Sequence, residues 1–116
     1  MRGAWGERAA RAFLEGRGYA VEDVNFRTRL GEIDIIARQG KYIVFVEVKT
    51  RKSDRFAAAR EFVTPAKQAR ILAAAAEWLQ RHPSALQPRF DVIEVYGEEG
   101  APLPPRLRHW ENAFGG

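Results

Sequence analysis

Two strongly apolar segments stand back to back in the middle of the chain, Glu32 to Arg38 and Lys41 to Lys49, separated only by Gln39-Gly40. Runs of this length rich in Ile and Val, split by a glycine-bearing dipeptide, read as a β-hairpin. With Gln39-Gly40 as the two-residue loop, Arg38 pairs with Lys41, Asp34 with Phe45 and Glu32 with Glu47. Side chains alternate with period two, so Glu32, Asp34, Ile36, Ile43, Phe45, Glu47 and Lys49 share one face. The other face, Ile33, Ile35, Tyr42, Val44, Val46 and Val48, is apolar apart from the tyrosine hydroxyl, and it is the face expected to pack on a helix. A slip of one residue would carry the acids to the wrong side.

Around this hairpin the pattern is mixed α/β. Residues 4–16 read as a helix with Trp5, Ala9, Ala12 and Phe13 at helical spacing, Glu7, Arg11 and Glu15 on another face, and Gly16 and Gly18 as a stop. Tyr19 to Phe26 reads as a strand with one irregularity. Thr64-Pro65 is a helix start, an N-cap acceptor followed by proline at the first position. In that helix Ala69, Leu72, Ala76 and Leu79 form the expected buried stripe, with Lys67, Arg70, Ala74, Glu77 and Arg81 opposite. Arg89 to Tyr96 reads as a further strand, Gly97 to Pro105 as a turn-rich connector, and residues 106–114 as a short strand or helical turn. The order α-β-β-β-α-β places both helices against one central sheet. At 116 residues the chain is expected to form one domain, 1–116, and 46% hydrophobic residues fill such a core without covalent staples.

Composition removes several chemistries. There is no cysteine, hence no disulfide framework, thiol nucleophile or thiolate metal site, and His82 and His109 lie 27 positions apart without a local partner. The net charge of +4 is compatible with nucleic acid without being diagnostic of it. The longest apolar run, Ile71 to Ala76, is far short of a signal sequence or a membrane span, so a soluble cytoplasmic protein without membrane association is expected.

The acidic end of the hairpin is an odd arrangement for stability. Carboxylates opposed across a ladder repel, and strands this apolar half-bury them. A hard divalent cation resolves the conflict, because Mg²⁺ takes oxygen ligands from one or two carboxylates and keeps waters for substrate phosphates, while a neighbouring ammonium orients the attacking water. The competing reading makes Glu47 and Lys49 an ordinary same-face ion pair beside an acidic edge. Directly after the acids, Lys49 to Arg70 carries seven positive residues against Asp54 and Glu61, a net of +5 in 22 residues. Arg51, Lys52, Arg55, Lys67 and Arg70 therefore fit a groove that tracks phosphates, and equally a solvated basic loop. Lys67 falls in the first turn of its helix, where the dipole favours an anion, and Arg70 follows one turn on. Asp91 is expected to be a buried partner for an arginine, Trp78 and Trp110 core or subunit-contact residues, and His82 a surface or capping residue.

The array Asp34 … Glu47-Val48-Lys49 resembles the PD-(D/E)XK nuclease superfamily, whose members include the archaeal Holliday junction resolvases. The whole chain is similar to the YraN family of uncharacterised bacterial proteins. That resemblance runs through Gly6-Glu7, Gly18-Tyr19, Asn25, Gly31-Glu32-Ile33-Asp34, Phe45 to Arg51, Arg89 to Val92 and Asn112-Ala113-Phe114. It implies a restriction-endonuclease-like fold, a central mixed β-sheet flanked by α-helices, and metal-dependent hydrolysis of phosphodiester bonds in DNA, including branched, recombination or repair DNA. Asp34 and Glu47 would be the Mg²⁺ ligands, with Mn²⁺ as a substitute, the Val48 carbonyl a third ligand, and Lys49 the residue that positions water or stabilises charge. Resolvases also use an acid on the first helix, a place that Glu7 occupies here, and act as twofold homodimers. Ile33 stands where the motif has proline, a position that is not a ligand. The competing function is a non-catalytic nucleic-acid-binding module, for DNA or RNA, in a repair, recombination or DNA-uptake assembly.

Overall fold

A computed structural model describes residues 2–51 and 63–115. It contains two helices and a five-stranded sheet: α1 (Arg2–Gly16), β1 (Ala20–Arg27), β2 (Glu32–Gln39), β3 (Tyr42–Arg51), α2 (Pro65–Arg81), β4 (Gln87–Tyr96) and β5 (Arg106–Phe114). The strands lie in chain order, β1-β2-β3-β4-β5. Only β3 and β4 run parallel, because only they are joined by a long connection carrying a helix; the other neighbours are antiparallel. The mixed α/β architecture is as read from the sequence, and residues 106–114 resolve into a strand.

Local chemistry explains the boundaries. α1 ends because Gly18, at φ 88, lets the Tyr19 and Gly18 amides turn back to the Leu14 and Glu15 carbonyls. At α2 the Thr64 Oγ1 accepts from the Lys67 amide and Pro65 takes the first helical position, as the sequence predicts. The irregularity expected in β1 is a bulge between Val21 and Asp23.

Both faces of the sheet are covered. One carries Ile35, Val44, Val46, Ile93 and Val95, with Ala10 and Leu14 of α1 packed on it and Trp5, Ala9 and Phe13 at their side. The other carries Ile36, Ile43, Phe45, Phe90 and Val92 beneath Ile71, Ala74, Ala75 and Trp78 of α2. The acid-bearing hairpin face is thus a core face as well, since Ile36, Ile43 and Phe45 give α2 an apolar floor.

Three expectations are corrected. The buried stripe of α2 is Ile71, Ala74, Ala75 and Trp78, while Leu72 is exposed, and so are Ala69 and Ala76. An alanine-rich helix is nearly symmetric, and the Trp78 ring decides its rotation by packing edge-on against Phe45 and donating to Asp23 at 3.1 Å. In α1, Ala12 is exposed and Ala10 and Leu14 take the deepest positions. The hairpin loop is Gly40-Lys41, with Gly40 at φ 57 and Gln39 paired with Tyr42, so the register is displaced by two residues from the expected one. A displacement of two preserves the faces and changes every partner.

Candidate active site

The displaced register sets up the site. Paired residues run from Gln39–Tyr42 to Ile35–Val46, and the ladder stops there. The next pair in that register is Asp34 and Glu47. In place of a backbone carbonyl, the Val48 amide donates to the Asp34 carboxylate at 2.7 Å. On its other side Asp34 stands across from Asn25, a residue at φ 51. The chain turns over here: Ile33 joins the cluster under α2 whereas Ile35 joins the one under α1. The strict alternation that puts Ile33 and Ile35 on one face fails at Asp34, where the ladder that enforces it has ended.

Glu47 is 5% exposed and faces two ammonium groups, Lys67 Nζ at 2.5 Å from its Oε1 and Lys49 Nζ at 3.9 Å. α2 supplies Lys67 from one side of the sheet. α1 supplies Glu7 from the other, and the Gly6 Cα lies so close to the Thr50 side chain that a β-carbon there would collide with it. The buried Oε1 of Glu7 has no hydrogen-bond partner among the described residues, and the neighbouring Asn25 favours the charged form of its carboxylate.

The protonation pattern records a local excess of negative charge. Burial, then the Glu47 charge and that of Glu7, lift Asp34 to about 7 against the opposing Val48 hydrogen bond. Glu7 is raised by burial and by the Glu32 and Glu47 charges. Lys49 is lowered by burial and by the adjacent Lys67 ammonium. Burial works against the Lys67 charge too, but its bond to Glu47 outweighs it and the net shift is upward. Asp34 and Glu47 stand together at the end of the ladder, and Glu7, which acts on Asp34 electrostatically, carries an orphaned buried oxygen; these are the oxygen donors that a hard cation takes. Among the described residues no three acidic or imidazole side chains close a coordination sphere alone, so main-chain carbonyl and water ligands would complete it.

The other predicted residues fall as follows. Arg51 turns inward, 3.7 Å from the fully buried Glu94. Arg70 is exposed on α2, one turn beyond Lys67. Lys52 and Arg55 lie outside the described residues. Asp91 is the arginine partner expected, bonded twice by Arg89 at 3.0 and 2.8 Å and once by His109 at 2.7 Å. Trp78 is core, and His82 caps α2, its amide donating to the Trp78 carbonyl. Sequence reasoning missed Glu94, which takes bonds from Tyr96 and from Trp110 Nε1. The available signal was an acid inside the apolar run Val92 to Tyr96, which demands polar partners. It also missed Arg27 and Arg29, which share a groove with Lys67 and Arg70.

Residues 6–95 match the family described as uncharacterised protein family UPF0102. UPF0102 proteins of Symbiobacterium thermophilum and Geobacter sulfurreducens are 47% and 46% identical over 113 residues, 97% of this chain and 94% and 87% of theirs. One from Geotalea uraniireducens is 44% identical over 97% of this chain and 87% of its own.

Proposed function

The chain belongs to the uncharacterised protein family UPF0102, and from its site we propose that it is a divalent-metal-dependent nuclease that hydrolyses phosphodiester bonds in DNA, with branched recombination or repair intermediates as substrates. The observation that carries this reading is the placement of Asp34 beside Glu47 at the end of the β2–β3 ladder, with Lys49 and Lys67 on Glu47. A sheet flanked by helices with such acids at the parting of two strands is consistent with a restriction-endonuclease-like fold.

Asp34, Glu47 and the Val48 carbonyl would hold Mg²⁺, or Mn²⁺ in its place, with Glu7 approaching from α1. The ion supplies Lewis acidity toward a phosphoryl oxygen and acidifies water. Asp34 is fixed for this by the Val48 amide, which orients its carboxylate before anything binds. Lys49, with its pKa lowered, stands 3.9 Å from Glu47 where it can orient water or meet charge developing on the phosphate. Lys67 and Arg70 offer cations to the flanking backbone. Symmetric paired cuts would call for a twofold homodimer.

A second reading, a nucleic-acid-binding module without catalysis, is favoured by the Lys67–Glu47 contact, since an ammonium already neutralises that acid. The two are separated by incubating labelled four-way junction, flap, nicked, duplex and single-stranded DNA, with RNA alongside, in Mg²⁺ or Mn²⁺. Cleavage by the wild type that disappears in Glu47→Ala supports the nuclease; binding without cleavage of any substrate supports the module.

A further inference from the structure

The turn between β1 and β2 leans over the first turns of α2 and encloses with it a groove of about 540 Å³. Its walls carry Arg27, Arg29, Lys67 and Arg70 against a single acid, Glu32. Glu32 pairs with Arg27 at 3.2 Å, whereas Arg29 and Arg70 are exposed, and no carboxylate among the described residues pairs with either. The groove opens beside the Asp34–Glu47 site, because Lys67 belongs to both.

The turn is a fixed object. The Thr28 Oγ1 accepts from the Leu30 and Gly31 amides at 3.0 and 3.2 Å, and the Thr28 amide donates to the Gly31 carbonyl at 2.8 Å. Gly31 sits against the Arg70 carbonyl, so closely that a β-carbon would clash with the backbone of α2. This rigid turn presents Leu30 at its tip, 56% exposed. Lone exposed apolar residues are common, and Leu103, at 79%, is another. Leu30 differs in its setting, on the lip of a four-cation groove next to a carboxylate pair. Apolar side chains flanked by arginine are the wedges with which proteins unstack a base step while cations hold the backbone.

Building on the nucleic-acid reading above, we infer that this groove seats the sugar–phosphate backbone of DNA at a branch point, with Arg29 and Arg70 on successive phosphates and Leu30 wedged against the base step where the duplex opens. The device selects branched over continuous duplex, since a base pair at a branch point lacks the continuous backbone of an uninterrupted duplex and costs less to unstack.

The test is anisotropy titration in EDTA, without cleavage, of a four-way junction bearing 2-aminopurine at the branch and of a continuous duplex of the same length, across a range of salt. Arg29→Ala and Arg70→Ala should each flatten the slope of log affinity against log salt by about 0.9, the loss of one phosphate contact. Arg17→Ala, at the far end of α1, should leave the slope unchanged. The wild type should raise 2-aminopurine fluorescence and prefer the junction. Leu30→Ala should keep the salt slope, lose the fluorescence rise and lower the preference about fivefold, and Leu30→Phe should retain both. Unchanged slopes in both arginine variants, or a full fluorescence rise in Leu30→Ala, would overturn the inference while leaving the nuclease reading intact. A wild type that binds neither DNA would remove the reading on which it rests.

Discussion

The Asp34 carboxylate accepts the Val48 amide proton at 2.7 Å, at the point where the β2–β3 ladder has stopped at Ile35 and Val46. A side chain replaces a strand in the hydrogen-bond pattern and is held beside Glu47. The arrangement costs stability. Asp34 has a folded pKa of about 7, raised by burial and by Glu47, against an ordinary value of 3.8. Between those values the folded chain holds the proton longer than the unfolded chain, so stability falls as pH rises through that window, and the full deficit is present above it.

Asp34→Asn removes the charge and keeps an acceptor for the Val48 amide. In EDTA at pH 8 this variant should be more stable than the wild type by about 1–2 kcal/mol, a rise of several degrees in melting temperature, and inactive. A lower melting temperature would contradict the electrostatic account of the site.

Divalent cations should reverse that penalty. Mg²⁺ at about a hundred times its dissociation constant should stabilise the wild type by about 2.7 kcal/mol and leave Glu47→Ala unmoved. Binding should tighten between pH 6 and 8, because Asp34 must release its proton, with a pKa of about 7, to coordinate. Calorimetry at several pH values checks this; pH-independent affinity counts against Asp34 as a ligand.

Asp91, on the strand beside Glu47, is by contrast a structural acid. Burial opposes its charge, but bonds from His109 and Arg89 prevail and hold it below the ordinary carboxylate range. Its stabilising contribution is therefore complete above its unfolded value and is lost as pH falls through the lower folded one. Asp91→Ala strands the Arg89 guanidinium, 9% exposed, and should cost about 3–5 kcal/mol in urea denaturation at pH 7. A loss below about 1 kcal/mol would mean that Tyr19, whose hydroxyl accepts from Arg89 at 2.7 Å, and Glu111, 3.9 Å away, suffice as its partners.

Two glycines should respond oppositely to alanine. Gly31→Ala drives a β-carbon into the Arg70 backbone carbonyl and should destabilise by about 1–3 kcal/mol. Gly16→Ala, which meets nothing within 4 Å at the end of α1, should stabilise by about 0.5–1 kcal/mol. Thermal melts of the two variants against wild type decide it.

The hairpin shows how far the sequence reaches. Alternation of apolar and charged residues fixes parity, so Asp34, Glu47 and Lys49 could be grouped without knowing the loop. Which dipeptide turns the chain depends on one glycine dihedral, and Gly40 takes φ 57 with Lys41 beside it, sliding Glu47 from Glu32 to Asp34. The rotation of α2 was illegible for a related reason, since the run Ala73 to Ala76 carries little preference and a contact distant in sequence, Trp78 with Phe45 and Asp23, settles it. Asp91 was readable from its own strand, whereas Glu94 depends on β5, whose Trp110 reaches it across the sheet. Arg27 and Arg29 become part of a groove only when β1, β2 and α2 are assembled.

The most direct measurement is cleavage and affinity on one labelled branched DNA substrate, in Mg²⁺, for wild type and Lys49→Ala side by side. Lys49 is 26% exposed and, among the described residues, its one ion pair is the 3.9 Å approach to Glu47, so its loss should spare folding. Cleavage falling by at least about a hundredfold with affinity changed less than about threefold is the predicted result. Equal cleavage by both proteins, or none by either while both bind, would contradict the assignment of this site as a nuclease centre.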